Sequence, residues 1–528
     1  MLKFFTIVCT LMITFTATVK ADILPIKKDL NLSPKDTVRL TLSLKKGDYL
    51  RGLLTSDQYF QATIFAPDGH KLRQLSRPFS HEARVFFLTP SSGDYQLQIS
   101  GAEKKITEVT LSLRSVPLAT PQQGNLPETA SPLVQQAISL WQQGESPEDI
   151  WRLLSQAGTP LIEPSPSKND NLQWVTFLSR GAQHRVLLLG APGYEHDPLY
   201  RLGDTDIWFR SYLLPDDTRM SYQLAPDVPY VAASGREQRM AILATAQKDP
   251  YNPNVWAPDG ELDIFAVKSV LELKNAPSDQ SIKGHGQIEG VKHYQIDSPR
   301  LGNRRAIDIW LPDQFNQQTK NQPVPLVIFF DGKAYQSKVP TPRILHNLIK
   351  EEKIPPVIAV FIDNPSNQAR AKELPCNTDF ADFMVKELLP FIKEKTGFTF
   401  RAETTILAGS SFGGLASACT AYRYPEYFGQ VLSLSGSFWW SPAKADRPEW
   451  LNARFAESPR LPLRFYLSAG RFETDFGESG IINANRQLAQ ILDIKGYPVI
   501  LEEFSAGHDY FHWRAVLARG LIHLLNKR

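Results

Sequence analysis

A serine nucleophile motif is the strongest chemical signal in this sequence of 528 residues. Residues 409–413 read GSSFG, with an apolar strand pattern at 404–408 before them and a small-residue helix pattern at 413–422 after them. Such a strand-to-helix turn exposes the serine Oγ at the edge of a sheet, where acyl transfer needs it, and its glycines avoid clashes. We therefore predict Ser411 as a nucleophile, whereas the motif without this context would indicate only a glycine-rich turn.

A histidine follows the last strand pattern, at the place where the general base of such a serine is expected. The strand covers residues 499–504, and His508 lies in the loop after it. His512 would lie about one helical turn further on, and His523 lies well inside the final helix, where a packing role is more common. We predict His508 as the general base.

The acid that orients this base should follow the preceding strand, residues 465–469. Three carboxylates lie in that loop: Glu473, Asp475 and Glu478. Any of them has the chemistry to fix the histidine tautomer and stabilise the imidazolium. We favour Glu473 and leave the other two as alternatives. For the oxyanion hole we predict two backbone amides, those of Phe412 and of Lys333, which follows the strand at 326–330.

The hydrophobic pattern divides the chain into three parts. Short alternating strands at 22–115 predict a β-sandwich that resembles pre-peptidase C-terminal modules, and a proline-rich linker follows at 116–132. We predict a second β-sandwich domain at 133–255 and a linker at 256–286. From 287 to 528, continuously apolar strands alternate with helices, which indicates an α/β hydrolase domain with a mostly parallel sheet.

Composition narrows the possible partners and the location. The net charge of +3 comes without a basic stripe and argues against nucleic-acid binding. Lys3, an apolar stretch at 4–17 and small residues at 19–21 predict a secretory signal peptide over residues 1–21. No later segment is apolar and long enough to cross a membrane. We expect a periplasmic protein without membrane insertion; oligomeric state is left open.

Cysteine spacing gives no metal site. After signal-peptide removal only Cys376 and Cys419 remain. Export permits a disulfide, but pairing needs a distance that the sequence does not give, and Cys419 in a helix is more typical of a buried apolar side chain. No cysteine or histidine cluster has zinc-site spacing. We expect no metal and no cofactor.

Beyond these local motifs, the chain from residue 133 onward resembles the enterochelin (enterobactin) esterase family. The resemblance rests on FDG at 330–332, RAKELPCNTDF at 370–380, AGSSFGGL at 408–415, SGSFWW at 435–440, and HD and WR at 508–509 and 513–514. The middle domain adds WVTFL at 174–178 and DIW at 206–208. Departures are the signal peptide, absent from many members, and Ala506 in place of a glycine.

The resemblance implies hydrolysis of the ester bonds in cyclic trilactone catecholate siderophores, with iron entering only as part of the substrate. Some exported relatives are described as using a Ser–His dyad, so the resemblance does not by itself require Glu473 as a third catalytic residue. Aromatic rings suit catechols, and cations suit an anionic ferric complex. Substrate-binding residues would accordingly be Arg370, Trp439, Trp440, Arg471 and Arg514, with Lys333 beside them.

Two other functions remain open from the sequence. A general carboxylesterase or acyltransferase of the same fold, similar to feruloyl esterases or mycolyltransferases, would use the same serine and histidine. A siderophore-binding protein that does not cleave its ligand would belong to another class. The presence of both Ser411 and His508 favours an enzyme over a binding protein.

Overall fold

The computed structural model describes residues 16–526, except 22–24, 35, 77–79, 103–105, 117, 119–130, 166, 168–170, 191, 194–195, 232–234, 259–262, 285–287, 314, 316–322, 446 and 475–478. Residues 1–15 of the expected signal peptide and most of the 116–132 linker thus lie outside the described residues. The described strands form four sheets. Within this part of the chain, no helix has the length and apolar character needed to span a bilayer.

The N-terminal domain is built around one long strand. Its eight strands are β1 (Thr16–Ala21), β2 (Ile26–Leu32), β3 (Thr37–Leu44), β4 (Tyr49–Phe65), β5 (Lys71–Gln74), β6 (Ser80–Leu88), β7 (Gly93–Ser100) and β8 (Thr107–Ser115). The first half of β4 pairs with β6 and β8, and the second half pairs with β5 and β7. One strand therefore belongs to both layers, which enclose a core that includes Leu40, Leu97 and Leu111.

The middle domain packs two sheets face to face. Its elements are α1 (Pro132–Gln142), α2 (Pro147–Ser155), β9 (Leu161–Pro164), β10 (Leu172–Arg180), β11 (Val186–Leu189), β12 (Asp197–Pro198), β13 (Tyr200–Arg201), β14 (Ile207–Pro215), β15 (Arg219–Pro226), α3 (Gly235–Thr245), β16 (Val255–Trp256) and β17 (Lys268–Glu272). The sheet orders are β13-β14-β10-β9 and β12-β11-β15-β17-β16. Phe177, Trp208 and Tyr222 lie in the core between them.

The middle domain extends past its predicted end at residue 255. β17 lies inside the segment predicted as a linker and pairs antiparallel with β15. Val270 and Leu271 of this strand are buried. A strand of five residues within a Pro- and Asn-rich stretch gives little periodic signal, so only its pairing partner identifies it.

The C-terminal domain alternates strands and helices. Its elements are β18 (Val291–Ser298), β19 (Asn303–Trp310), β20 (Leu326–Phe329), α4 (Ala334–Ser337), α5 (Thr341–Lys350), β21 (Ile358–Ile362), α6 (Asn367–Glu373), α7 (Thr378–Phe383), α8 (Leu389–Thr396), β22 (Thr405–Ser410), α9 (Phe412–Arg423), β23 (Gln430–Leu434), α10 (Trp450–Glu457), β24 (Arg464–Gly470), α11 (Gly480–Ile494), β25 (Val499–Phe504) and α12 (Tyr510–Leu525).

The strand order of this domain brings its loops together. The order is β18-β19-β21-β20-β22-β23-β24-β25, in which the strands from β21 to β25 run parallel and β18 and β19 are antiparallel. Every residue of β20, β21, β22 and β23 is buried, because helices cover both faces. The carboxyl ends of the parallel strands meet at one edge, where ligand sites of such sheets form.

A disulfide joins Cys376, which follows α6, to Cys419 on α9, with their Cα atoms 5.2 Å apart. This corrects the expectation that Cys419 serves only as a buried apolar side chain. The distance depends on how α6 and α9 pack, which residues 43 positions apart in sequence cannot reveal. The bond ties the segment after α6 to the helix that begins beside Ser411.

Breaking this disulfide should lower the stability of the C-terminal domain. Replacing both cysteines, as Cys376→Ser with Cys419→Ala, should lower the free energy of unfolding by about 2–4 kcal/mol because the unfolded chain regains loop entropy. Thermal and denaturant melts with and without dithiothreitol would measure the change. Dithiothreitol should shift the wild-type transition and leave the double variant unchanged; an equal response in both proteins would contradict the prediction.

Candidate active site

Ser411 lies in the sharp turn between β22 and α9. Its backbone has φ 58° and ψ −124°, a conformation that is costly for a residue with a side chain. A Cβ on Gly409 would lie 2.6 Å from the carbonyl carbon of Gly413, so the turn closes only with glycine at 409. The Ser411 amide donates to Leu434 (3.0 Å), and its carbonyl accepts from the Ser437 amide (3.1 Å). These bonds fix the direction of Oγ.

His508 lies in the loop between β25 and α12 and contacts Glu473, which follows β24. The distance from His508 Nδ1 to Glu473 Oε1 is 2.6 Å. The other carboxylate oxygen, Oε2, accepts the amide of Gly470 at 2.7 Å. Glu473 is only 1% exposed. A carboxylate at Nδ1 favours the tautomer protonated there, which makes Nε2 the basic nitrogen.

An aromatic ring supports the histidine on another side. The edge-on rings of His508 and Trp513 have centroids 4.8 Å apart. Trp513 in turn donates from Nε1 to Ser435 Oγ at 2.9 Å, in the loop after β23. Packing and a hydrogen bond therefore restrict rotation of the imidazole.

These loops converge on the carboxyl edge of the parallel sheet. Ser411 follows β22, Ser435 and Ser437 follow β23, Glu473 follows β24, and His508 follows β25. The Oγ atoms of Ser411 and Ser437 lie 3.4 Å apart. The loop after β23 contacts Ser411 through Ser437 and Trp513 through Ser435, and Trp513 packs on His508. A hydroxyl, an imidazole and a carboxylate therefore lie on one edge, the set of groups that nucleophilic acyl transfer uses.

The rival histidines have other surroundings. His512 is 1% exposed, lies against Phe504 with ring centroids 5.0 Å apart, and burial lowers its pKa to about 3. His523, in the last turns of α12, interacts with the Arg464 guanidinium. The other two candidate acids, Asp475 and Glu478, lie outside the described residues.

The two predicted oxyanion donors differ in environment. Phe412 is the first residue of α9, so its amide has no acceptor within the helix. The positive end of the helix dipole also lies at this position. The amide of Lys333 interacts with the half-buried carboxylate of Asp363, whose pKa is raised by loss of solvent. Donation by Lys333 to an oxyanion therefore requires that this amide be shared with Asp363 or released from it.

Arg370 holds the loop after β20 in place through Asp331. Its Nε and Nη2 donate to the two oxygens of Asp331 at 2.6 and 2.7 Å, and Asn364 donates to the same carboxylate at 2.6 Å. Asp331 is buried and has φ 55°. The Arg370 guanidinium also lies 5.7 Å from the centroid of the Phe412 ring. The structure thus places Arg370 at the site and engages it with the protein.

The remaining predicted binding residues fall into two groups. Trp439 lies 6.2 Å from Phe412 by ring centroids, and half-buried Trp440 follows it. Arg471 is exposed, donates to Ser505 Oγ at 3.2 Å and lies 3.9 Å from Asp217 of the middle domain. Arg514 turns to the middle domain, where it bonds Asp279 at 2.5 Å. The structure therefore brings Trp439 to Phe412 and turns Arg514 toward the domain interface.

Three residues of the site had no assigned role in the sequence analysis: Asp331, Ser437 and Trp513. Each lies inside a motif segment that carries the family resemblance, and that was the only available signal. Their partners are distant in sequence, so the contacts become visible only in the fold. Among the described residues, no group of three or more His, Cys, Asp or Glu side chains is placed to hold a metal ion.

Two family models match the chain. Residues 298–524 match the family described as putative esterase, and residues 174–282 match the family described as enterochelin esterase, N-terminal. The chain is 32% identical over 339 residues to the iron(III) enterobactin esterase of Escherichia coli O6:H1. That alignment covers 62% of this chain and 81% of the relative. It is 28% identical over 401 residues to the iron(III) salmochelin esterase of the same strain, covering 71% and 92%.

A solved structure has the same architecture. The crystal structure of the enterobactin esterase from Shigella flexneri in the presence of enterobactin aligns with a TM-score of 0.56 and 30% identity, over 71% of this chain and 97% of that chain. The aligned part of the chain therefore contains an esterase-fold domain with β-rich structure before it.

Glu473→Gln should lower kcat by about 10²–10⁴-fold, because an amide cannot stabilise the imidazolium and favours the wrong tautomer. Ester hydrolysis measured at saturating substrate would test this. Glu503→Gln is a matched control, since Glu503 pairs with Arg486 on the exposed side of β25. Full activity of Glu473→Gln would indicate that a serine–histidine pair suffices.

His508→Ala should abolish turnover, with a loss of about 10⁴-fold or more. His512→Gln should keep activity within several-fold, because a histidine with a pKa of about 3 stays neutral and does not exchange protons at neutral pH. Steady-state kinetics together with a thermal melt of both variants would separate lost chemistry from lost packing. The reverse ranking would reassign the general base.

Proposed function

Because the chain belongs to the iron(III) enterobactin esterase (enterochelin esterase) family, we propose that Ser411 and His508 carry out its reaction on trilactone catecholate siderophores. The chain is a carboxylic ester hydrolase. Its substrate is an enterobactin-type siderophore, and ester hydrolysis weakens the hold of that ligand on iron. The observation that carries the mechanistic proposal is the 2.6 Å contact of His508 with buried Glu473 at the sheet edge that bears Ser411.

The mechanism follows from an α/β hydrolase arrangement of the C-terminal domain. Ser411 Oγ attacks the ester carbonyl while His508 Nε2 takes its proton, and Glu473 stabilises the resulting imidazolium. The amides of Phe412 and Lys333 stabilise the oxyanion. His508 then protonates the departing alcohol, which leaves an acyl-enzyme on Ser411. A water molecule, deprotonated by His508, then attacks the acyl carbonyl, and His508 returns that proton to Ser411 Oγ as the acid product leaves.

Recognition of the substrate is assigned to groups around the same edge. Trp439 and Trp440 are proposed to stack on catechol rings. Arg471 and the Lys333 side chain would attract the negative charge of a ferric catecholate. Arg370 and Arg514, each already paired with a carboxylate, would act mainly by holding the surrounding loops in place.

We also propose that the protein acts in the periplasm. The sequence of residues 1–21 has the charge, apolar stretch and small residues of a secretory leader, and cleavage after residue 21 would remove the edge strand β1 from the N-terminal domain. The Cys376–Cys419 disulfide supports this location because disulfides persist in oxidising compartments. The esters of the siderophore would then be hydrolysed after it has crossed the outer membrane and before it crosses the inner membrane.

Ser411→Ala should abolish hydrolysis of ferric enterobactin while binding persists, because the substitution removes the attacking oxygen and leaves the binding groups in place. Product chromatography would measure cleavage, and quenching of tryptophan fluorescence would measure binding. Ser437→Ala is the matched control, since its hydroxyl lies 3.4 Å from Ser411 Oγ but carries out no covalent step.

A panel of esters separates the competing functions. Ferric and iron-free enterobactin should be cleaved more efficiently than feruloyl and short acyl esters. Preference for the simple esters would identify a general esterase. Binding without cleavage by both the wild type and Ser411→Ala would identify a siderophore-binding protein.

A further inference from the structure

The loop that carries His508 is short and connects β25 to α12. Within its own domain, Ala506 accepts the Phe472 amide at 3.1 Å, Ser505 Oγ accepts from Arg471 at 3.2 Å, and His508 contacts Glu473 and Trp513. Asp509 ends the loop as the N-cap of α12, with Oδ1 accepting the Phe511 amide at 3.3 Å. The position of His508 also depends on what holds the backbone of residue 505 and the side chain of residue 509.

A strand of the middle domain bonds both of those residues. β11 pairs with β15 only at residues 223–226, whereas β17 pairs with residues 219–222 on the opposite side. The amides of Arg219 and Ser221, two residues apart, point the same way along β15. Arg219 donates to the Ser505 carbonyl at 3.0 Å, and Ser221 donates to Asp509 Oδ2 at 2.8 Å. The His508 loop thus occupies the strand edge that β11 does not reach.

Asp509 is charged and enclosed at this junction. Its side chain is 10% exposed, and the Lys268 ammonium lies 3.6 Å from Oδ1. Burial raises the pKa of this carboxyl, but Lys268 and the hydrogen bonds from Ser221 and Phe511 outweigh burial and leave the pKa below its ordinary value. The group is therefore an anion at neutral pH and a strong acceptor for the Ser221 amide.

Arg219 extends the contact to the start of α12. Its Nε donates to the Phe511 carbonyl at 3.2 Å, and its guanidinium carbon lies 3.9 Å from the centroid of the Phe511 ring. The side chain is fully buried and forms ion pairs with Glu272 and, at 2.7 Å, with Asp279. Both ends of the His508 loop are consequently fastened to the middle domain.

We propose that β15 of the middle domain is a functional part of the active site, with Asp509 as a positioning residue that fixes His508 through the Ser221 amide. The inference rests on the proposed role of His508 as general base. The middle domain thereby sets the place from which Nε2 reaches Ser411. A displacement of a catalytic group by about 1 Å can cost about 10²-fold in rate.

Asp509→Asn in the full-length chain tests the proposal. Asparagine keeps the shape of the side chain but removes the charge and one acceptor oxygen facing Ser221 and Phe511. The rate at which a fluorophosphonate probe labels Ser411, and kcat for ferric enterobactin, should both fall about 10–100-fold, with KM within about threefold. A role confined to folding would lower the melting temperature and leave the labelling rate per folded molecule unchanged.

Asp263→Asn is the matched control. Asp263 is a buried carboxylate whose two oxygens accept backbone amides, from Gln74 at 2.8 Å and from Phe265 at 2.7 Å, and neither partner belongs to β15 or to the His508 loop. This variant should lose stability and keep its labelling rate. Lys268→Met provides a second test if Asp509→Asn does not fold, because Lys268 is about one-third exposed; it should slow labelling about 3–10-fold.

The outcomes separate this inference from the proposed function. A slower labelling rate in the Asp509 or Lys268 variant, with Asp263→Asn at the wild-type rate, supports the positioning role. Unchanged labelling in those variants, or an equal loss in Asp263→Asn, overturns it even if Ser411→Ala and His508→Ala are inactive. Absence of labelling in the wild type, or its persistence in His508→Ala, would instead refute the proposed mechanism.

Discussion

The hydrogen bond between Glu473 and His508 joins two loops whose residues are 35 positions apart, and its carboxylate is almost out of contact with water. Burial of a carboxylate is costly unless its oxygens are bonded. Here one oxygen takes the Gly470 amide and the other takes the imidazole. The hydrogen bond that compensates the burial of the Glu473 carboxylate also selects the tautomer of His508. The stability of the two loops and the protonation state needed for catalysis therefore depend on one interaction.

That interaction lies at an interface between domains. Phe472, beside the acid, packs against the middle-domain core, and Arg471 reaches Asp217 of that domain. Buried Arg219 pairs with half-buried Asp279, which also pairs with Arg514 of α12. The sandwich and the esterase domain therefore behave as one unit around the catalytic edge.

The N-terminal domain is attached to this unit through the middle domain. Arg51 forms a bidentate pair with Glu237 of α3, at 3.0 and 2.9 Å. Arg73 donates to the carbonyls of Leu243 and Ala244, and burial lowers its pKa to about 10. A buried guanidinium remains charged at that value and continues to donate to these carbonyls. The contacts fix the N-terminal sandwich on α3, which itself packs against Ala225 near the end of β15.

Local sequence determined the elements that carry the chemistry, because a strand, a glycine-flanked turn and a helix are each encoded within a few residues. Ser411 and His508 could accordingly be predicted in their loops. Contacts between distant segments could not: Glu473, Asp475 and Glu478 are chemically alike in sequence, and only packing puts Glu473 against His508. Packing likewise directed Arg370 to Asp331, paired Cys376 with Cys419, and added β17 to the middle domain. Only the tertiary structure decided these four contacts, because each depends on the distance between two elements. Sequence periodicity predicts the elements but does not give the distance between them.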